Sequence, residues 1–172
     1  MNGRVLVAYA TKYGATQEIA EAIGDVLRKA GVKADVLPAG RVTDVSSYRA
    51  VVLGSAVYVG QWRKDAVAFL ETHEKALSDR PTWLFSSGPS GKGDPVQLMS
   101  GWKFPEAQKP IAERIHARDT ALFHGSLDSE KLSLPEKLIL KGIKAPTGDF
   151  RDWDAVRAWA QTIAEALKQQ DT

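Results

Sequence analysis

The chain alternates between short apolar runs and longer stretches in which apolar residues recur at helical spacing. The first run, Val5 to Ala10, is continuously apolar, which is the pattern of a parallel strand buried on both faces. After a turn, Ile19, Ile23 and Leu27 recur at helical spacing until Gly31 ends the predicted helix. Four later runs predict further buried strands: Ala34 to Leu37, Ala50 to Leu53, Thr82 to Phe85 and Thr120 to Phe123.

Helical patterns separate most of these strands. They are marked by Ala66, Val67, Leu70 and Leu77, by Ile111, Ala112 and Ile115 after Pro110, and by Trp153, Val156, Trp159, Ala160, Ile163 and Leu167. Strands that alternate with helices form a parallel sheet with right-handed crossovers. We therefore predict one α/β domain over residues 1–172, a doubly wound three-layer sandwich on a five-stranded sheet.

The turn between the first strand and the first helix has the composition of an anion site. Backbone N–H groups at a helix start converge on an anion, Thr11 and Thr16 add hydroxyl donors, and Gly14 allows close backbone approach. The turn lacks both a lysine followed by Ser or Thr and a Gly-x-Gly-x-x-Gly pattern, which argues against an NTP with magnesium and against a dinucleotide. A terminal monophosphate fits best, and an ordinary capped turn is the alternative.

Four segments resemble one known family. The turn Thr11 to Thr16 resembles the phosphate loop of the flavodoxin family, with Tyr13 at the place of the usual middle threonine. Gly54 to Gly60 and Phe85 to Pro89 look like the two loops that enclose the isoalloxazine of FMN in flavodoxins. Gly148 to Ala160 is similar to the last-helix entry of one branch, the menaquinone-dependent protoporphyrinogen IX dehydrogenases, which are flavodoxin-like enzymes of haem synthesis.

The resemblance implies a flavodoxin-like fold with strand order 2-1-3-4-5 and FMN as the cofactor. In that order a ligand binds at the carboxyl ends of strands 1, 3 and 4, which carry the three loops. The implied phosphate site is formed by Thr11, Lys12, Tyr13, Gly14, Ala15 and Thr16. The implied ring site is formed by Ser55, Ala56, Val57, Tyr58, Ser86, Ser87 and Gly88.

Composition and charge argue against several kinds of partner and site. The formal net charge of +2 argues against nucleic acid as a partner, and the absence of cysteine excludes disulfides and thiolate metal sites. Three scattered histidines predict no metal site, and no side chain is singled out as a catalytic acid, base or nucleophile. No stretch reaches the roughly 20 apolar residues of a membrane span, and the chain begins directly with the first strand. We therefore expect a cytoplasmic protein.

For several side chains the sequence supports two interpretations, a role in the site or a structural role. Tyr58 is expected to stack on the flavin or to pack as a half-buried aromatic. Trp62 is expected to contact the flavin or to begin the next helix, and Trp102 and Phe104 to line a pocket or to belong to the core. His124 is expected to make a structural hydrogen bond. Glu18 is expected to point away from a bound phosphate.

Two long segments, Gly88 to Pro110 and Leu127 to Thr147, are candidates for the substrate side of the site. Within the second, Pro135 to Lys144 is a short basic amphipathic stretch. Such a stretch can lie on an anionic membrane, giving peripheral membrane contact. The alternative is an insert that packs its apolar side on the sheet edge and leaves its lysines in solvent.

The leading interpretation is an FMN-binding oxidoreductase that acts on protoporphyrinogen IX or a related small molecule with a quinone acceptor. A second interpretation is a non-enzymatic FMN electron carrier with a redox partner protein. Carrier flavodoxins are typically strongly acidic, whereas this chain is nearly balanced in charge. A third is a flavin-free binding module with the same fold.

Overall fold

The computed structural model describes residues 3–58, 60–88, 93–99, 101–127, 134–135, 138 and 148–170. Its strands are β1 (Arg4–Ala10), β2 (Ala34–Pro38), β3 (Tyr48–Tyr58), β4 (Gln61–Trp62), β5 (Thr82–Ser87), β6 (Thr120–Phe123), β7 (Ser126–Leu127) and β8 (Gly148–Asp149). Its α-helices are α1 (Ala15–Lys29), α2 (Lys64–Ser78), α3 (Pro95–Leu98), α4 (Lys109–Arg114) and α5 (Trp153–Gln170), and 3-10 turns cover Ala39–Arg41 and Glu106–Gln108. No helix among the described residues is long and apolar enough to cross a membrane.

Five parallel strands form the central sheet in the order β2-β1-β3-β5-β6. These are the five strands that the sequence predicted, in the predicted order 2-1-3-4-5, so the fold prediction is confirmed. Three short strands were not predicted: β4 pairs antiparallel with β3, and β7 pairs antiparallel with β8 in a separate ribbon.

Helices cover both faces of the sheet, because the central strands β1, β3 and β5 are buried on both sides. On one face α1 and α5 bury residues such as Ile23 and Ile163 against β1 and β5. On the other face α2 and α4 bury Leu70 and Ile111 against the alternate residues of the same strands. The doubly wound, three-layer arrangement follows from this two-sided burial.

The strands extend further than the apolar runs indicated. Ser55 to Tyr58 were expected in a loop but belong to β3, because Val57 and Tyr58 pair with β4. Ser86 and Ser87 were expected in the next loop but are buried in β5, where they pair with Leu122 and Phe123 of β6. Polar side chains interrupt the apolar pattern here, while backbone pairing continues past them.

Other expectations met mixed outcomes. Trp62 lies in β4 and does not begin α2, which starts at Lys64. The segment from Gly88 to Pro110 is partly ordered into α3 and a 3-10 turn, and residues 89–92 and 100 lie outside the described residues. The predicted insert from Leu127 to Thr147, with its basic stretch from Pro135 to Lys144, lies almost entirely outside them.

Gly54 allows an aromatic ring to cover β3. A Cβ placed on Gly54 would lie 1.9 Å from Cζ of Phe85, so the ring occupies the space that any side chain would need. Phe85 is fully buried and also packs against Phe123 and Trp159. Gly54 and Phe85 are partners in the pairing of β3 with β5, and the absence of a side chain at Gly54 leaves room for the ring there.

We predict that Gly54→Ala lowers the free energy of unfolding by about 1–3 kcal/mol, as overpacking of a close-packed core does. Urea unfolding monitored by circular dichroism measures the loss. In a Phe85→Leu background the same substitution is expected to cost less, because the ring it would strike is gone. Equal costs in both backgrounds would contradict this account of the contact.

Candidate functional site

The turn after β1 is shaped by Gly14 and Thr11. Gly14 has a φ of 93°, a left-handed conformation that other residues rarely adopt, and it is the N-cap of α1. Its N–H donates to the Thr11 hydroxyl at 2.9 Å. The start of α1 receives no side-chain hydrogen bond from its N-cap residue, because Gly14 has no side chain. This is the backbone arrangement that binds anions at helix starts.

A buried hydrogen bond joins this turn to the end of β5. The hydroxyl groups of Thr16 and Ser87 are 2.8 Å apart, and both side chains are almost fully buried. The two residues are 71 positions apart in the chain. The predicted phosphate turn and the predicted ring segment are therefore in direct contact.

Two other serines at this edge serve the protein's own structure. The Ser55 hydroxyl donates to the carbonyl of Ala56 and accepts from the N–H of Arg63, which fixes the approach to α2. The Ser86 hydroxyl accepts from the indole N–H of Trp62 at 2.8 Å. Both serines are fully buried. Their side chains hold the rim of the site together, and their contact with a cofactor stays a prediction.

The segment after β5 lies close to its neighbours, so that a side chain at either of two glycines would make tight contacts. A Cβ on Gly88 would lie 3.2 Å from Cβ of Val57, and one on Gly125 would lie 3.0 Å from the Cα of Gly88. The N–H of Gly88 donates to the carbonyl of Phe123. The backbone after β5 and β6 is thus packed closely against the end of β3, next to Ser87.

An exposed lysine spans the opening between the two predicted loops. The ammonium of Lys12 lies 5.2 Å from the ring centroid of Tyr13 and 4.9 Å from that of Tyr58, both within cation–π range. Tyr58 is 40% exposed. The predicted stacking residue therefore lies at the surface of the site, beside the phosphate turn.

Arg151 is a residue at this edge to which the sequence reasoning assigned no role. Its side chain is only 9% exposed, forms a two-pronged bond to Asp149, and pairs with Glu18 at 3.3 Å. Its guanidinium covers the Trp153 ring and lies 3.4 Å from the carbonyl of Ala15. The ion pair with Arg151 holds Glu18 beside the first turn of α1. The one sign of this role in the sequence was that Arg151 lies in the segment from Gly148 to Ala160, which is similar to the last-helix entry of the dehydrogenase branch.

The remaining aromatic candidates lie beside the site. Phe104 is buried and packs edge-to-face on Trp62, with ring centroids 4.8 Å apart. Trp102 and Phe104 line an open groove of about 770 Å³ that continues along α4. His124 is buried with its Nε2 2.6 Å from the carbonyl of Gly93, in agreement with a structural hydrogen bond.

The family is decided by a match over most of the sequence. The sequence profile described as "Flavodoxin domain" matches residues 6–154, which include the turn, both later strand ends and the entry to α5. The chain belongs to the flavodoxin domain family. FMN is the cofactor of that family, and the recognition made from the three loops is confirmed.

The chain is also similar to individual proteins, one by sequence and two by fold. The chain is 27% identical over 183 residues to the protoporphyrinogen IX dehydrogenase [quinone] of Escherichia coli K12, covering 94% of each chain. Its fold matches a flavodoxin from the domain Archaea, with a TM-score of 0.59, 14% identity and coverage of 96% and 99%. It also matches the rubredoxin oxygen:oxidoreductase of Desulfovibrio gigas, with a TM-score of 0.63 and 15% identity. That match covers 96% of this chain, which spans only 36% of the larger protein.

The residues at this edge fit FMN. A phosphate suits the N–H groups at the start of α1 and the Thr11 hydroxyl, which accepts from Gly14 and still has its own hydrogen to donate. The exposed Tyr58 offers an aromatic side chain on which a flat ring can stack. The chemistry of phosphate and ring thus matches two adjoining parts of one surface.

The contact between Asp149 and Arg151 predicts a pH-dependent stability. Hydrogen bonding from the guanidinium lowers the pKa of Asp149, and the same bond raises the pKa of Arg151. A carboxyl with a lowered pKa stabilises the fold above its unfolded pKa of about 3.9, and this stabilisation is lost as the pH falls through the lower folded value. We expect Asp149→Asn to be less stable than the wild type at neutral pH and equally stable in acid. Urea unfolding from neutral to acidic pH measures the difference in unfolding free energy between the wild type and the variant, and the exposed Asp154→Asn is the control. A difference that stays constant over this pH range would contradict the assignment.

Proposed function

We propose that this protein is an FMN-dependent oxidoreductase that oxidises an organic substrate of the protoporphyrinogen IX class and passes the electrons to a quinone. The observation that carries the proposal is the buried bond between Thr16 and Ser87, which unites the phosphate turn and the ring segment in one surface. Similarity to the Escherichia coli dehydrogenase over 94% of both chains supports the substrate class and the quinone acceptor.

In this proposal the first loop holds the phosphate and the later strand ends hold the ring. The phosphate lies at the turn formed by Thr11, Lys12, Tyr13, Gly14, Ala15 and Thr16, and its main donors are backbone N–H groups and the Thr11 hydroxyl, because the Thr16 hydroxyl is buried against Ser87. The isoalloxazine is bounded by Ser55, Ala56, Val57, Tyr58, Ser86, Ser87 and Gly88. Because the hydroxyls of Ser55 and Ser86 already bond to Arg63 and Trp62, these two serines contribute mainly backbone and shape.

The cofactor and the protein have different roles in the proposed reaction. FMN, when bound, supplies the capacity to accept two electrons and to return them. The protein would orient the ring against Tyr58, which is exposed beside the turn after β1. Arg151 holds the first turn of α1 through Glu18 and Ala15, so it positions the phosphate site from outside.

The charge balance favours an enzyme over a carrier. A carrier gains association rate from a strong field that complements its partner, and the formal net charge of this chain is only +2. A small organic substrate needs no such field. A cytoplasmic location and peripheral contact with a quinone-bearing membrane complete the proposal.

The phosphate assignment predicts discrimination between FMN and riboflavin. Each charge-assisted hydrogen bond to the phosphate contributes about 1.5–3 kcal/mol, so two such bonds make riboflavin bind at least about a hundredfold more weakly. Thr11→Ala is expected to weaken FMN by about 1.5–3 kcal/mol and to leave riboflavin unchanged, because only FMN uses the lost donor. Calorimetric titration measures both affinities. Thr162→Ala, on the exposed side of α5, is the matched control. Equal affinity for FMN and riboflavin would overturn the phosphate site.

The enzyme assignment predicts which acceptor is used. With FMN bound, we expect turnover of a porphyrinogen with a soluble quinone, measured by the appearance of porphyrin fluorescence under anaerobic conditions. Protein from which FMN has been removed is the blank, and re-addition of FMN should restore the rate. Rapid reduction of one-electron protein acceptors with no quinone-dependent turnover would favour the carrier instead.

A further inference from the structure

Arg151 is nearly buried beside the first turn of α1, where several groups hold its guanidinium. Two of its nitrogens donate to the carboxylate of Asp149 at 2.9 and 2.6 Å, and its Cζ lies 4.7 Å from the ring centroid of Trp153. Its Nη1 lies 3.3 Å from the carboxylate of Glu18 and 3.4 Å from the carbonyl of Ala15. Because only 9% of the side chain is exposed, its positive charge has a fixed place at the start of the helix.

Glu18 brings a negative charge to the same helix start. Side chains of an α-helix lean toward its N-terminus, so the carboxylate of Glu18 extends back along the first turn of α1. The same Nη1 atom of Arg151 contacts both this carboxylate and the carbonyl of Ala15, the first residue of the helix. A carboxylate in the first turn stabilises the helix dipole, but it repels an anion that binds at the helix start. The guanidinium therefore places a charge of opposite sign beside Glu18.

We propose that Arg151 is a positioning residue of the phosphate site, which offsets the charge of Glu18 and thereby favours FMN over riboflavin. This inference rests on the proposed binding of the FMN phosphate at the start of α1. Arg151 acts from behind the turn, through its charge and through its contacts with Glu18 and Ala15. Asp149, in the ribbon of β7 and β8, receives the two-pronged bond and holds the guanidinium in this orientation.

The expected effect follows from the charge of the phosphate. The guanidinium contacts the first residue of α1, which places it on the order of 10 Å from an anion bound to the N–H groups of that turn. With an effective dielectric constant of about 20–80 and screening at about 0.1 M salt, one positive charge at this distance favours a phosphate of charge about −2 by about 2- to 10-fold. Riboflavin has no phosphate, so its affinity should not depend on this charge.

The test compares Arg151→Gln with Arg151→Lys, because both lose the two-pronged bond to Asp149 and only the glutamine variant loses the charge. We expect Arg151→Gln to bind FMN about 2- to 10-fold more weakly than Arg151→Lys in calorimetric titration at about 0.1 M salt. The two variants should bind riboflavin equally. Arg114→Gln removes the same charge from a pair with Glu74 at the end of α4, and it should bind FMN like the wild type.

A variant of Glu18 tests the inference with Arg151 in place. The side chain of Glu18 is 58% exposed, so Glu18→Gln should fold even if Arg151→Gln does not. Loss of the carboxylate should strengthen FMN binding by about 2- to 10-fold and leave riboflavin unchanged. Both effects should shrink at about 1 M potassium chloride, where the Debye length falls to about 3 Å. Unchanged or weaker FMN binding by Glu18→Gln would overturn the inference.

The other outcomes separate charge from structure. Equal FMN affinity of Arg151→Gln and Arg151→Lys would mean that the arginine only supports the fold, which overturns the inference and leaves the proposed function intact. A riboflavin affinity that differs between these two variants as much as the FMN affinity would also overturn it, because the effect would not depend on the phosphate. If the wild-type protein binds no FMN, or binds FMN and riboflavin equally, the proposed phosphate site fails together with the inference.

Discussion

The site depends on one constraint, that strands β1, β3 and β5 run parallel and end at the same edge of the sheet. In-register pairing places Ala10 beside Ser55 and Ser55 beside Ser86. Segments far apart in the chain therefore become neighbours, and the buried bond between Thr16 and Ser87 becomes possible. Because a buried hydroxyl without a partner costs about 1–3 kcal/mol, this pairing also stabilises the alignment that produced it.

The polar residues at that edge divide into two groups by burial. Ser55, Ser86 and Ser87 are buried, and their hydroxyls bond to Arg63, Trp62 and Thr16, so they build a rigid rim. Lys12 and Tyr58 are exposed and face outward. The buried rim is therefore preorganised by its own hydrogen bonds, next to an exposed lysine and an exposed tyrosine. Preorganisation of this kind lowers the entropy lost on binding.

The residues just before α5 also contact this edge of the sheet. Arg151 precedes α5, yet its guanidinium contacts Asp149, Glu18, Ala15 and Trp153. Since α5 also packs along α1 in the core, the arginine fixes the end of the helix pair nearest the site. A change at this position would reach the phosphate turn without touching a ligand there.

The sequence by itself determined the strand and helix types and the two-sided burial of the sheet, because each follows from periodicity. It also predicted a phosphate turn from a local glycine and hydroxyl pattern. The family resemblance then specified strand order and cofactor. Only the tertiary structure decided that β3 and β5 continue through Tyr58 and Ser87, that Trp62 bonds Ser86, and that Arg151 serves the first loop. These depend on pairing with β4 and β6 and on contacts between distant segments, and nothing in the local sequence encodes which distant group satisfies a buried serine or a nearly buried arginine.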